Sequence, residues 1–319
     1  MSMLSRVAER LYWTSRYLVR SAGMARLLNV YTQFLLDTPK GSELGWDGLL
    51  KVFEVEQQFL RKYKKVTEQN VLEFRITDMD NDSSLRFSIK AARENVRTTR
   101  DVLPEDIWEH VNELYLFVEE QAEQAIARKN RFQFLDQIVK RNQQIHGIIE
   151  STVCRDHGYT FLKVGRLLEH SDIISRVIDV DAAAITEREG AVISESSLFW
   201  GNLLSALSAN SAYRSEIGSL IDSNDVINFL FKSRIYPRSV YFCMSEIEHM
   251  IKGLKSSERA VREINSIVKL IDGLNAENMK HKQLHEFIDV LQARLNKVHT
   301  IIYKSWFGLT EPAPSAVNQ

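Results

Sequence analysis

Two segments of this chain, 150 residues apart, carry nearly the same helical pattern. Residues 16–30 align without a gap on residues 166–180, and both place apolar side chains at helical spacing. Five aligned positions are identical, namely Arg16/Arg166, Leu18/Leu168, Ser21/Ser171, Arg26/Arg176 and Val30/Val180. The match continues in order at an offset that reaches 155 residues, through Ser84 and Phe87 against Ser239 and Phe242. A duplicated helical unit with small loop insertions explains this drift.

The repeat predicts an all-α bundle of two pseudo-repeated multi-helix units, residues 1–150 and 151–307, packed as one domain. Each unit alone would expose a wide apolar stripe, which the other unit can cover. Only five prolines occur, and two of them lie among the last eight residues, so long helices are permitted almost everywhere else. Residues 308–319 are predicted to form a short flexible tail.

Charge and cysteine content limit the classes of function. The 41 basic residues nearly balance the 42 acidic ones, so no overall charge favours nucleic acid or a membrane surface as a partner. No secretion signal or apolar span of about 18 residues is evident, so we expect a cytoplasmic protein. The two cysteines, Cys154 and Cys243, form no CxxC pair. We expect both to be buried, with no disulfide and no metal site.

Charged residues share one face of the second copy of the repeated helix. Arg166, Glu169, Asp172 and Arg176 fall within a sector of about 120° at helical spacing. Two carboxylates in one stripe could bind a metal, orient an amine substrate or transfer a proton. Alternatively, they could form ion pairs within the helix, such as one between Glu169 and Arg176. The residues alone favour this second interpretation.

The first copy of this helix lacks both carboxylates. Val19 corresponds to Glu169, and Ala22 corresponds to Asp172, so the surroundings of Arg26 are mostly apolar. An unpaired buried charge costs several kcal/mol, so we expect Arg26 to bond a carboxylate from elsewhere in the fold. The expected structural polar groups are Arg16, Arg26, Asn95 and Asn112.

A basic ridge is predicted on a later helix. Its four arginines, which fall within about 60° on a helical wheel, are Arg86, Arg93, Arg97 and Arg100. Guanidinium groups suit phosphate and carboxylate, so the ridge is a candidate anion- or partner-binding platform. The alternative is a solvated face neutralised by acidic neighbours such as Glu94. Arg166 and Arg176 are further candidates for anion binding.

Four ordered motifs resemble the bacterial alpha-E domain family over residues 3 to about 305. They are Met3-Leu-Ser-Arg-Val-Ala-Glu-Arg-Leu-Tyr-Trp-Thr-Ser-Arg-Tyr-Leu, Ala92-Arg-Glu-Asn-Val-Arg, Gly165-Arg-Leu-Leu-Glu-His-Ser-Asp and Pro237-Arg-Ser-Val. The resemblance implies an all-helical protein whose gene accompanies, or is fused with, a circularly permuted ATP-grasp ligase. A transglutaminase-like protein is often encoded nearby. Such systems are predicted to make or modify peptides by ATP-driven amide-bond formation.

The chain departs from the family pattern in both copies of the helix. The typical first helix reads Arg-Tyr-Leu-Glu-Arg-Ala-Glu, where this chain has Val19 and Ala22 at the two acidic positions. The second copy keeps Glu169 and Asp172 but has His170 in place of the usual arginine. A catalytic site that needed carboxylates from both helices would therefore lack two of its ligands.

The leading hypothesis is an accessory subunit of an ATP-grasp amide-bond-forming ligase, with a docking surface and a groove for a peptide or small anion. Arg93, Arg97 and Arg100 would bind an anionic segment, and the partner ligase would hold ATP and Mg²⁺. No cofactor is expected on this chain. The alternatives are an enzyme that uses Glu94, Glu169 and Asp172 in an arginine-rich pocket, or a purely structural scaffold.

Overall fold

The computed structural model describes residues 5–37, 45–51, 54–186, 193–279 and 281–308, and within these ranges the chain contains helices and turns but no strand. The all-α prediction is confirmed. In the first half the helices are α1 Ser5–Asp37, α2 Gly48–Lys51, α3 Glu56–Lys62, α4 Glu68–Leu72, α5 Leu85–Arg97, α6 Glu105–Gln121 and α7 Arg128–Thr152. In the second half they are α8 His157–Thr186, α9 Ile193–Ala206, α10 Asn210–Glu216, α11 Ser223–Lys232, α12 Val240–Ile251, α13 Glu258–Asp272 and α14 His281–Ile302. A π-helical turn follows α4 at Glu73–Thr77, and another ends the described chain at Tyr303–Phe307.

The two longest helices, α1 and α8, pack against each other in parallel. Residue numbers rise together along their contact, since Gly165 meets Tyr12 and Gly23 meets Ile173. A Cβ atom at Gly165 would overlap the backbone carbonyl oxygen of Tyr12, so this crossing requires glycine. The close approach brings polar side chains of α1 within reach of α8.

The two halves arrange their main helices in the same order around this central pair. In the first half, α1 packs on α5 and α7, and α6 bridges those two helices. In the second half, α8 packs on α12 and α14, and α13 bridges them. The common origin of the halves stays a prediction. The expected boundary at residue 150 lies in the last turn of α7, just before the turn that leads into α8.

Equivalent serines begin corresponding helices. The side chain of Ser84 accepts a hydrogen bond of 3.1 Å from the backbone N–H of Phe87 at the start of α5. Ser239 accepts one of the same length from Phe242 at the start of α12. In both cases a hydroxyl oxygen satisfies a first-turn amide that has no partner within the helix.

A single hydrophobic core runs through both halves, from Ala8 in α1 to Phe307 at the end of the described chain. Cys243 is buried, as expected, but Cys154 is exposed because it lies in the turn between α7 and α8. Most of the predicted tail, residues 309–319, falls outside the described residues. No described helix is long and apolar enough to cross a membrane.

Candidate functional site

Glu169 of α8 is held by two arginines of α1. Arg16 donates from Nε to Oε2 of Glu169 at 2.6 Å, and Arg20 donates from Nε to Oε1 at 2.7 Å. A second bond of 3.2 Å joins Nη2 of Arg20 to Oε2. Burial alone would raise the pKa of the Glu169 carboxyl, but Arg20 and Arg16 lower that pKa to about 2. Glu169 is only 1% exposed, so this ion cluster joins the two halves inside the core.

This Glu169 cluster extends to α14 through aromatic groups. Arg16 also donates to the hydroxyl oxygen of Tyr12 at 3.2 Å, and its guanidinium lies 5.0 Å from the centre of the Trp13 ring. The Tyr12 oxygen is 2.8 Å from Nδ1 of His299. Burial lowers the pKa of His299 to about 4, and the nearby Arg16 charge acts in the same direction. The cluster is therefore fixed on several sides and has little freedom to change partners.

The other charged pair predicted on α8 is separate from this cluster. Arg176 binds Asp172 one turn earlier at 3.1 Å, and it also binds Glu54 at 3.1 Å. The predicted pairing of Glu169 with Arg176 is wrong, because Glu169 faces α1 and is bonded there. Ion pairing within α8 is confirmed only for Asp172.

Three of the four ridge arginines already have carboxylate partners. Arg86 binds Glu119 through two bonds of 2.8 Å, whereas Arg93 and Arg97 share Glu94 at 2.7 and 2.8 Å. Arg100 lies 5.2 Å from the centre of the Trp108 ring.

Asn112 supports the ridge by accepting a 2.8 Å hydrogen bond from Nε of Arg93. The guanidinium of Arg93 also lies 5.3 Å from the Trp108 ring centre. Asn95 is half-buried, and its backbone oxygen accepts the hydroxyl bonds of Thr98 and Thr99. Asn112 therefore helps to fix the position of the Arg93 side chain.

The three candidate catalytic carboxylates do not share a site. Glu94 is 43% exposed and bonds Arg93 and Arg97, whereas Glu169 and Asp172 bond different arginines elsewhere. The hydrogen bond from Arg97 is the main reason that the pKa of Glu94 is lowered. None of the three carboxylates lines the cavity described next. Within the described ranges, no group of three or more His, Cys, Asp or Glu side chains is placed to hold a metal.

A cavity of about 250 Å³ lies beside α1, α7 and α8, and both apolar and basic side chains line it. Its ionisable side chains are Arg26, Arg166, Arg238, His146, His170 and Glu150. Gln143 and Gly147 of α7 also line it and are exposed, so the cavity opens to solvent at that helix. At Gly147 an added Cβ atom would meet no other atom within 4 Å.

The cavity contains more positive than negative charge. Glu150 accepts bonds from Arg166 at 3.0 Å, Lys163 at 3.3 Å and the Tyr159 hydroxyl at 2.8 Å. Arg238 donates to the backbone oxygen of Leu207 at 3.0 Å. Glu150 is therefore a shared counter-ion for several cations.

Arg26 has no carboxylate partner within the described ranges, so the pairing expected for it is not observed. Burial lowers the pKa of Arg26 to about 10, and the nearby Arg238 charge adds to this effect. Burial, together with Arg166 and Arg238, also lowers the pKa of His146 to about 3. The pKa of His170 is far below its ordinary value for the same reasons.

Most of this cavity was missed by sequence reasoning. His146 and Glu150 come from α7, which carries none of the four motifs, and Arg238 was noted only as part of Pro237-Arg-Ser-Val. The available signal was the replacement of two carboxylates by Val19 and Ala22, because both of those residues line the cavity.

The model of the Alpha-E family, described as a predicted alpha-helical domain with a conserved ER motif, matches residues 3–307 of the chain. Comparisons with curated proteins and with solved structures find no match to the chain. With almost its whole length matched, the chain belongs to the Alpha-E family.

Proposed function

We propose that this protein is a non-catalytic partner subunit of an ATP-grasp ligase that forms peptide or other amide bonds. Membership of the Alpha-E family supports this proposal, since the sequence resemblance implies genes that accompany such ligases. In this arrangement the ligase holds ATP and Mg²⁺ and performs the chemistry in the cytoplasm. A transglutaminase-like protein is a second proposed partner.

The main support for a non-catalytic role is that two arginines keep the buried Glu169 ionised and bonded. A general base works best when its pKa lies near the working pH, but the pKa of Glu169 is about 2. Both of its oxygens are engaged by arginines, and the side chain is buried. Asp172 is similarly engaged by Arg176. Glu169 thus joins α1 to α8 and Asp172 is neutralised within α8, so that catalysis is left to the partner.

The basic ridge is the proposed docking surface for an acidic segment of the ligase or its peptide. The Arg97 side chain is 52% exposed, and its only ion pair within the described ranges is with the partly exposed Glu94. Exposed ion pairs contribute only about 0–1 kcal/mol, so a partner carboxylate can replace Glu94 at little cost. Arg100 is exposed beside Trp108, which adds an aromatic surface to the ridge.

The test uses the full chain and the ATP-grasp ligase encoded beside it. We expect the two proteins to co-purify, and we expect this chain to raise the rate of ATP-dependent ligation. An Arg97→Ala/Arg100→Ala double variant should weaken both effects in a salt-sensitive manner. Lys140→Ala is the matched control, because Lys140 is an exposed cation on α7 that pairs with Asp136. A ligation rate that does not depend on this chain would reject the proposal.

A further inference from the structure

The Glu169 cluster has a counterpart in the sequence that lacks its carboxylate. A shift of 150 residues relates Arg16 to Arg166, Arg20 to His170, and Glu169 to Val19. Arg166, His170 and Val19 all line the 250 Å³ cavity. One set of side chains therefore forms a closed ion cluster, and the equivalent set surrounds open space.

The same shift explains why Arg26 has no carboxylate partner in the part of the chain that the structure describes. Arg176 is equivalent to Arg26, and Arg176 binds Asp172 one turn away. The residue equivalent to Asp172 is Ala22, which lines the cavity beside Arg26. Glu169 and Asp172, which belong to the second copy and neutralise arginines, thus have no equivalent carboxylate in the first copy.

The two sets lie on opposite flanks of the α1–α8 pair. The Glu169 cluster faces α14 through His299, whereas the cavity faces α7 through His146. Among the described residues, Glu150 is the one carboxylate that lines the cavity, against three guanidinium groups. Because Glu150 is shared with Lys163, it leaves a net positive charge in the cavity. Gln143 and Gly147 mark an opening through which a solute can enter.

We propose that this cavity is a binding site for a small dicarboxylate, whose two carboxylates take the places that Val19 and Ala22 leave vacant. Val19 and Ala22 are one helical turn apart, a separation of about 5–6 Å between Cβ atoms that one small molecule can span. Arg166, Arg26 and Arg238 supply the guanidinium donors, which suit carboxylate oxygens. The Glu169 cluster shows carboxylate held by arginines on the other flank of the same helices.

The two imidazoles favour the same ligand. Burial, with a smaller effect of the neighbouring arginines, lowers the pKa of His146 and of His170 and keeps both uncharged, so each can donate one N–H bond to an oxyanion. The negative charge of a bound ligand opposes the effect of the arginines and raises both pKa values. The imidazole resonances therefore report on occupancy of this cavity independently of heat release.

The site is tested on the isolated full chain, so failure here leaves the ligase partnership unaffected. Succinate is titrated by calorimetry in a buffer free of carboxylate and phosphate, with inorganic phosphate and uncharged succinamide as comparison probes. We expect saturable binding of succinate, no binding of succinamide, and succinate-dependent shifts of the His146 and His170 nitrogen resonances. Binding of phosphate alone would overturn the assignment to carboxylate.

Two matched substitutions at Val19 separate charge from size. Val19→Glu supplies an internal carboxylate and should weaken succinate binding by about tenfold or more, whereas Val19→Gln adds a similar volume without charge and should weaken binding less. Equal loss in both variants would overturn the proposal that succinate replaces missing charge. Circular dichroism and thermal unfolding establish that both variants are folded.

Arginine variants test the location of the site. Arg26→Gln should weaken succinate binding by about tenfold or more, because it removes a charge-assisted donor from the cavity. Arg61→Gln, which changes an exposed arginine of α3 that does not line the cavity, should leave binding unchanged. Absence of succinate binding to the unaltered chain, or an equal loss in both arginine variants, would overturn the cavity as the site.

Discussion

Arg20 donates a hydrogen bond from Nε to Oε1 of Glu169 across 2.7 Å and so joins the two central helices through a buried charge pair. Arg16 completes the pair from the same helix. An ion cluster of this kind contributes little relative to a well-packed apolar group, but removing one member leaves the others uncompensated. The contribution of the cluster to stability is therefore best measured by removing one of its members.

Glu169→Gln should destabilise the fold by about 3–5 kcal/mol, because Arg16 and Arg20 would then be buried without a counter-charge. Urea unfolding followed by circular dichroism measures this loss. Glu94→Gln is the matched control: it also removes a carboxylate bonded by two arginines, but at an exposed position where about 0–1 kcal/mol is expected. Similar losses in the two variants would contradict a structural role for Glu169.

Two glycine-to-alanine substitutions should have opposite effects. Gly165→Ala forces a methyl group against the Tyr12 carbonyl oxygen and should cost about 1–3 kcal/mol or more, because neither backbone can easily move. Gly147→Ala in α7 meets open space and should stabilise the helix by up to about 1 kcal/mol. Thermal unfolding of both variants checks the contrast. A neutral Gly165→Ala would show that α1 and α8 pack less closely than described.

Acid should weaken the fold in two steps. The pKa is lowered to about 3 in His146 and about 4 in His299, and that of His170 is also well below 6.5. Between pH 6.5 and about 4 the unfolded chain therefore binds protons that the folded chain does not. Stability should fall with pH there by at most about 1.4 kcal/mol per unit for each histidine. The Glu169 contribution is present above pH 4.5 and is lost as the pH falls from there toward 2.

Urea unfolding at several pH values between 8 and 4 measures the first step. His299→Gln should reduce the slope below pH 6.5, and His249→Gln, at an exposed site on α12, serves as the control. A stability that stays flat down to pH 4.5 would contradict the prediction for the histidines.

The two cysteines should differ in reactivity. Cys154 is exposed, whereas burial raises the pKa of Cys243 to about 12, so the latter thiol is both shielded and protonated. An aromatic disulfide reagent should label one thiol in the native protein and two in denaturant. Cys154→Ser should abolish the native reaction. Labelling of two native thiols would contradict the burial of Cys243.

The sequence predicted the elements better than the contacts between them. Helical spacing identified α1 and α8, because this signal is local. A helical wheel shows which residues share a face of α8, but not what lies opposite that face. For this reason the partner of Glu169 was expected within α8, although it lies on α1.

The cavity was harder to predict than these contacts, because no single motif contains the residues that line it. Arg26 was expected to have a partner because buried charges usually do, and nothing local indicated that a cavity would take the place of the partner. The walls of the cavity come from α1, from α7 and α8, and from Arg238 just before α12, and these three parts are far apart in the sequence. The useful signal was a comparison within the chain, in which Val19 and Ala22 replace Glu169 and Asp172.

The parallel arrangement of α1 and α8 has a consequence for the order of the two halves. The ring of Phe307 lies 5.3 Å from that of Tyr12, about two helical turns from the first described residue. A short peptide could therefore link residue 308 to residue 5, and the chain could begin instead at the turn between α7 and α8. Such a circular permutant would exchange the halves along the chain while every helix kept its neighbours.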